Sequence, residues 1–286
     1  MLNIIREVLG LKEEPIEERL EFGEELIENI DSWSARFSRW NFNEDLKGYP
    51  FVENRYAPFT PARRALPMLN LALISSAGAY IDGTKPFDLT SKDGDVSFRE
   101  IPREVEAEYL AYAARGYDPQ YVKRDRNAQI PIDRLIEYEA NAVIGRLNEV
   151  WWSFCGFIPN ARLVAEDLAP KITERLHRYN VQAALLIPAS KLCHQTVGIV
   201  ARKIEQSGIP TMTISVDREV TEKVRPPRAA YYEGEFGNVA GKPGWKQYQL
   251  RVLDEALRLI EPLDQPTIRK LVVELETEIE KERGEV

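Results

Sequence analysis

The hydrophobic pattern changes period twice between residues 181 and 216. Residues 181–187 read Val-Gln-Ala-Ala-Leu-Leu-Ile, a nearly unbroken apolar run of strand length, as expected for a strand covered on both faces of a parallel sheet. Pro188 closes it, helical spacing occupies 191–206, Ser207-Gly208 ends that helix, and a second apolar run fills 209–216. Strand, helix and strand within about 35 residues make a βαβ unit, whose crossover is right-handed in a parallel sheet. Another strand is predicted at 69–75 (Leu-Asn-Leu-Ala-Leu-Ile-Ser). It runs into Ser75-Ser76-Ala77-Gly78, small residues that permit a tight turn and leave backbone N–H groups exposed.

Amphipathic spacing predicts helices at 132–148 and 161–179, and across 1–35, where Ile16, Leu20, Leu26, Ile27 and Ile30 recur and Pro15 marks a start. Two more are predicted near the C-terminus. Leu253, Leu257 and Ile260 mark the first; Ile268, Leu271, Leu275 and Ile279 mark the second, with Pro266 in its first turn. Residues 41–67, rich in aromatics and punctuated by Pro50, Pro58 and Pro61, read as an arm packed across another surface. Residues 82–102 and 218–244 read as loops, with 94–99 a strand edge or loop, and the segment 151–157 (Trp-Trp-Ser-Phe-Cys-Gly-Phe) fits no simple pattern. The expected fold class is α/β: a mostly parallel sheet with flanking helices in Rossmann-like layers, as one unit or two similar lobes, with helical N- and C-terminal extensions. Three regions follow: a helical arm and linker at 1–67, an α/β core at 68–245, and C-terminal helices at 246–286 packed on the core.

A net charge of −8, with basic residues scattered among acids, argues against nucleic acid, which needs clustered Lys and Arg. No apolar run approaches the ~20 residues of a membrane-spanning helix, and residues 1–6 lack the basic-then-apolar plan of a signal peptide. The two cysteines make no disulfide framework, so the expected home is a reducing cytoplasm. Two cysteines and two histidines show neither CxxC nor HxxxH spacing, and GxGxxG and Walker loops are absent. No metal and no cofactor are expected.

The string Pro188-Ala189-Ser190-Lys191-Leu192-Cys193-His194 lies where a buried strand hands over to a helix, the end of a parallel sheet where ligands bind. If Ser190 caps the helix, Cys193 takes the third helical position. There the unpaired N–H groups and helix dipole favour a thiolate, as would Lys191 or a protonated His194. Cys193 also shares a helical face with Val197, Val200 and Ile204, and by spacing alone it reads first as a small core residue. His194 would point about 100° away, His177 reads as a C-terminal dipole partner, and Cys155 beside Gly156 reads as buried packing.

Several strings in order resemble the glycine/sarcosine/betaine reductase selenoprotein B family, related to the selenoprotein subunit of D-proline reductase. They are Leu73-Ile74-Ser75-Ser76-Ala77-Gly78, the run from Gly94 to Pro102, Asp125-Arg126-Asn127-Ala128-Gln129-Ile130-Pro131-Ile132-Asp133-Arg134-Leu135, Ser153-Phe154-Cys155-Gly156, and the run from Ala184 through Cys193 to Thr211. In that family a selenocysteine follows the equivalent strand in a Cys-x-x-selenocysteine arrangement, and the matching positions here are Ser190 and Cys193. The resemblance implies that Cys193 replaces selenocysteine as nucleophile, and that Ser190 cannot act as a resolving thiol. It further implies a partner subunit that activates substrate amines, or a thiol electron donor. By physical role, Ser75, Ser76 and Arg99 would hold the carboxylate of a small anionic substrate, with Ser190 a further substrate-binding residue. Asp125, Asn127, Asp133 and Arg134 would line the same cleft, or else serve as caps and surface pairs.

Three functions stay open: a thiol-dependent reductase, a two-thiol racemase or isomerase using Cys155 with Cys193, and a non-catalytic binding subunit. The terminal helices suit a homo-oligomer or a cover for the sheet.

Overall fold

A computed structural model describes residues 25–261 and 264–273. Of the predicted helical positions, Ile16, Leu20, Leu275 and Ile279 lie outside the described residues.

The strand predicted at 69–75 forms as β1 (Asn70–Ser75), and the run at 181–187 forms as β7 (Ala183–Ile187), its parallel neighbour. On the other side of β1 lie β5 (Arg146–Leu147) and then β6 (Val150–Phe154), both parallel to it. Strand β3 (Phe98–Pro102) closes that edge by antiparallel pairing with β6. Beyond β7 follow β8 (Thr211–Ser215), β9 (Arg228–Tyr231) and β10 (Thr267–Lys270), each parallel to its neighbour. The sheet order is β10-β9-β8-β7-β1-β6-β3. A small antiparallel pair, β2 (Ala79–Ile81) with β4 (Leu110–Tyr112), stands at the exit of β1.

Alternation along the central strands separates two cores. Leu71 and Leu73 of β1 and Leu185 and Ile187 of β7 share one core with Ile132 and Leu135 of α3 (Ile132–Ala140) and with Val252 and Leu253 of α8 (Lys246–Leu257). Ala72, Ile74, Ala184 and Leu186 share the other with Ile172 and Leu176 of α5 (Ala169–Arg178) and Val197, Val200 and Ile204 of α6 (Lys191–Gln206). The fold is therefore α/β, a mostly parallel sheet with helices on both faces. Helix α6 has the predicted bounds, because Ser190 starts it and Ser207-Gly208 ends it. Two shorter helices, α1 (Ile30–Phe37) and α2 (Gln120–Arg124), complete the first half. The helical spacing at 161–179 is one continuous rod: α4 (Ala161–Leu163), a π turn at Val164–Leu168, then α5. Pro170, in the first turn of α5, removes a ladder N–H where the turn widens.

Elsewhere the local pattern was overridden. The helix predicted at 132–148 stops at Ala140; Ala142 adopts a left-handed conformation, and Leu147 is buried in β5 instead. Residues 150–154 form a strand covered on both faces, Trp151 entering one core and Trp152 the other. The predicted loop at 218–244 contains α7 (Arg218–Val224), capped by Asp217 Oδ1 on the Val220 N–H at 3.0 Å, and then β9. Ile268 lies on β10 rather than on a helix, where pairing with β9 satisfies the backbone. Among the described residues no helix is long and apolar enough to cross a membrane.

Candidate functional site

Strands β1 and β7 lie side by side, yet the chain leaves β1 toward β6 and leaves β7 toward β8. Such a switch point opens a crevice beyond the strand ends. Cys193 sits there. Ser190 caps α6 with extended backbone (φ −137°, ψ 175°); its Oγ accepts the Cys193 N–H at 3.3 Å and donates its own proton to Cys193 Sγ at 3.0 Å. Ser76, leaving β1, accepts the Ala189 N–H on its Oγ at 2.9 Å and turns its carbonyl toward Cys193 Sγ at 3.9 Å. Gly156, leaving β6, completes the contact: a Cβ there would lie 2.5 Å from Ser76 Cβ and 2.8 Å from Cys193 Sγ. The thiol is 1% exposed. It packs with the first core, whereas Val197, Val200 and Ile204 of the same helix pack into the second.

Neither cation expected beside the thiol is turned to it. His194 Nε2 accepts the Val216 N–H at 3.2 Å, so Nδ1 carries the proton and donates it to the Ser190 carbonyl at 2.7 Å. Burial pulls its pKa down to about 4, leaving a neutral ring at pH 7. Lys191 Nζ lies 4.0 Å from carboxylate oxygens of Asp217 and Glu219, with its side chain 43% exposed. The closest polar partner of the sulfur is the Ser190 hydroxyl.

Cys155 belongs to the same exit turn as Gly156 but packs in the second core with Trp152 and Phe157. Burial, then the proximity of Cys193, pushes its thiol up to about 12. Gly156, the next residue, is the one whose missing Cβ leaves room for Cys193 Sγ. Two loops cover the thiol. From one, Tyr117 donates its hydroxyl to the Ala77 carbonyl at 2.6 Å; from the other, Gly237 N–H donates to the Ala189 carbonyl at 2.9 Å. Burial, then Cys193 and Cys155, pushes the Tyr117 phenol well above its ordinary value, so it stays a donor.

The remaining predicted residues divide. Ser75 is buried beside Ser76, its Oγ 3.5 Å from the Gln129 carbonyl. Arg99 lies on β3, two strands from β1; it donates to Ser97 Oγ and to the Phe98, Lys85 and Pro86 carbonyls, and stacks over Phe87 at 4.2 Å. Asp125, Asn127 and Asp133 form one knot. Asp125 accepts the Asn127 and Gly244 N–H groups and Gln249 Nε2, while Asp133 accepts Asn127 Nδ2 at 2.7 Å and a two-pronged Arg126 contact at 2.6 and 3.0 Å. Burial opposes ionisation of Asp133, but Arg126 and Asn127 outweigh it and hold its carboxyl below the usual range. Arg134 joins through Gln249 Oε1 at 3.0 Å and Glu137 at 2.7 Å.

This knot reaches the Cys193 turn through Gln129, which donates to the Pro188 carbonyl at 2.9 Å and accepts the Val239 N–H at 3.2 Å. Sequence reasoning missed Gln129 as an individual, although it lies inside the string 125–135. It also missed Tyr117 and Gly237, for which the sequence carries no local signal.

The family model for glycine/sarcosine/betaine reductase selenoprotein B matches residues 48–189. D-proline reductase subunit gamma of Acetoanaerobium sticklandii is 30% identical over 214 residues, covering 75% of this chain and 86% of that protein. Glycine reductase complex component B subunits gamma of Symbiobacterium thermophilum and Carboxydothermus hydrogenoformans are 28% and 27% identical over 58% and 64% of this chain. The chain spans most of the first relative but only 39% and 42% of the other two. No solved structure matches it.

Proposed function

Because the chain belongs to the glycine/sarcosine/betaine reductase selenoprotein B family, we propose that it is the thiol-bearing component of a reductase complex and that Cys193 is its nucleophile. One observation carries the reading. Cys193 stands at a helix N-terminus at the switch point of the sheet, its sulfur hydrogen-bonded by Ser190 at 3.0 Å, and the resemblance of the surrounding string implies that it takes the place of the family's selenocysteine.

The substrate class is a small carboxylate bearing nitrogen on its α-carbon, activated by a partner subunit. The Cys193 thiolate attacks that carbon, the C–S bond forms as the C–N bond breaks, and the electron pair leaves on nitrogen, which takes a proton. Ser190 supplies no second thiol, so an external dithiol finishes the cycle. One of its thiolates attacks the sulfur of the thioether. The C–S electron pair passes to carbon, where the adjacent carboxyl or carbonyl group delocalises it until a proton arrives. The donor's second thiol then resolves the mixed disulfide, releasing Cys193 as thiolate and the donor as a disulfide. The balance is a C–N bond replaced by C–H, with one dithiol oxidised.

The test is turnover of D-proline, glycine, sarcosine and betaine, with dithiothreitol as donor, by the complex co-purified with its partner subunits. At least one substrate is expected to be reduced, Cys193→Ala to fall to background, and Cys155→Ala to retain most of the rate. Full turnover by Cys193→Ala would instead make the chain a binding subunit.

A further inference from the structure

The Cys193 thiol is sealed, but the seal is thin. Ser190, Cys193 and Ser76 are almost fully buried, while Gly116, Asp118 and Glu235, in the two covering loops, are exposed. Each loop is firmly anchored at its base. In the first, Ala113 N–H bonds the Gly78 carbonyl at 2.8 Å and Arg115 bonds the Ser91 carbonyl and Glu44 at 2.9 Å each. In the second, Val239 N–H is held by Gln129 and Ala240 N–H by the Ala128 carbonyl at 2.7 Å.

Between the anchors the loops lock into each other. Gly237 (φ +85°) has no room for a Cβ, which would stand 2.8 Å from both the Asp118 carbonyl oxygen and the Tyr117 ring. Gly116 (φ +77°) lies against Phe157 and Ser190 Cβ. Two bonds fasten the pair to the floor of the crevice, Tyr117 Oη to the Ala77 carbonyl and Gly237 N–H to the Ala189 carbonyl. The second is a backbone bond. The first belongs to one side chain.

Resting on the reading of Cys193 as nucleophile, we propose that Tyr117 is a positioning residue that controls access to it. Its hydroxyl latches the 113–118 loop over the thiol, and a substrate enters only when that latch lets go and the two loops part. The bonds divide the labour: the 113–118 loop meets the floor through the Tyr117 hydroxyl and the Gly116 contact, while the second loop is held by the Gly237 N–H, by Glu235 bonded to Tyr121 and by Phe236 against the His194 ring. The occupant that opens it is the small carboxylate of the proposed reaction, which must part the loops to reach a sulfur already in contact with Ser76, Gly156 and Ser190.

The thiol itself provides the test. Wild-type and Tyr117→Phe chains in native buffer are pulsed with iodoacetamide, and alkylation of Cys193 is followed separately from that of Cys155 by peptide mass spectrometry. Cys155 is bridged to Ala77 beneath the same loop, so amide exchange of β7 and β8, measured on both chains, reports general unfolding. Wild-type Cys193 is expected to react far more slowly than it does in urea. Loss of one buried hydrogen bond should raise its rate roughly 3- to 10-fold in Tyr117→Phe, with exchange in β7 and β8 unchanged. An equal acceleration of exchange in β7 and β8 would reduce Tyr117 to a stability residue and overturn the proposal, as would a wild-type Cys193 that reacts like an unfolded thiol. The readout needs no turnover, so it can fail while the nucleophile assignment stands, and the reverse.

Discussion

Buried between the Ser190 carbonyl and the Val216 N–H, His194 is fixed as the neutral Nδ1-protonated ring, and its proton balance is legible in stability rather than in catalysis. Its folded pKa of about 4 lies below the unfolded 6.5. Between these values the unfolded chain binds more protons, so stability rises with pH. The contribution is full above pH 6.5 and is lost as pH falls toward 4, by about 3 kcal/mol at ~1.36 kcal/mol per pH unit. In urea unfolding, His194→Gln should lack this component, so its stability should fall less than wild type's between pH 7 and pH 4. Gly156 makes a second residue-scale prediction. A methyl group placed 2.5 Å from Ser76 Cβ and 2.8 Å from Cys193 Sγ must push β1 and α6 apart. Gly156→Ala should lower the unfolding free energy by about 1–3 kcal/mol, read from the urea midpoint.

At the scale of elements, α6, β9 and the aromatic arm meet at one buried ion pair. Glu205 near the end of α6 contacts Arg228 at the start of β9, both side chains fully buried. Glu205 also accepts the N–H groups of Thr60 and Thr211, and Arg228 donates to the Thr60 carbonyl and stacks on Phe59 at 4.1 Å. Burial pushes the Glu205 carboxyl up and the Arg228 guanidinium down, and their contact opposes both shifts. Glu205→Gln would leave the guanidinium unpaired. A loss of about 3–5 kcal/mol is expected, seen as a lower thermal midpoint and faster amide exchange at residues 52–60. The same pair explains what the sequence concealed. Residues 228–231 read as loop because their first side chain is charged, and the acid that neutralises it stands 23 positions earlier. Strands 69–75 and 181–187 were legible because their burial is written in continuous apolar residues. The two tryptophans of β6 gave no periodicity because each fills a different core.

For the molecule as a whole, the sheet's central position, the cap at Ser190 and the place of Cys193 were legible from local patterns. What closes over Cys193 was not, because Tyr117, Gln129 and Gly237 reach it from three separate stretches of chain. Arg99 lies in a family-like string, and its partners, Ser97 and the Phe98, Lys85 and Pro86 carbonyls, come from its own stretch of chain. One feature of the sheet also sets a timetable. Strand β1 is central, yet its neighbour β7 lies more than a third of the chain away; the Asn70 N–H bonds Gln182, 112 residues later. On a ribosome adding ~5–20 residues per second, β1 waits on the order of ten seconds for that partner. Until then its apolar edge is open, and the crevice that holds Cys193 has only one of its walls.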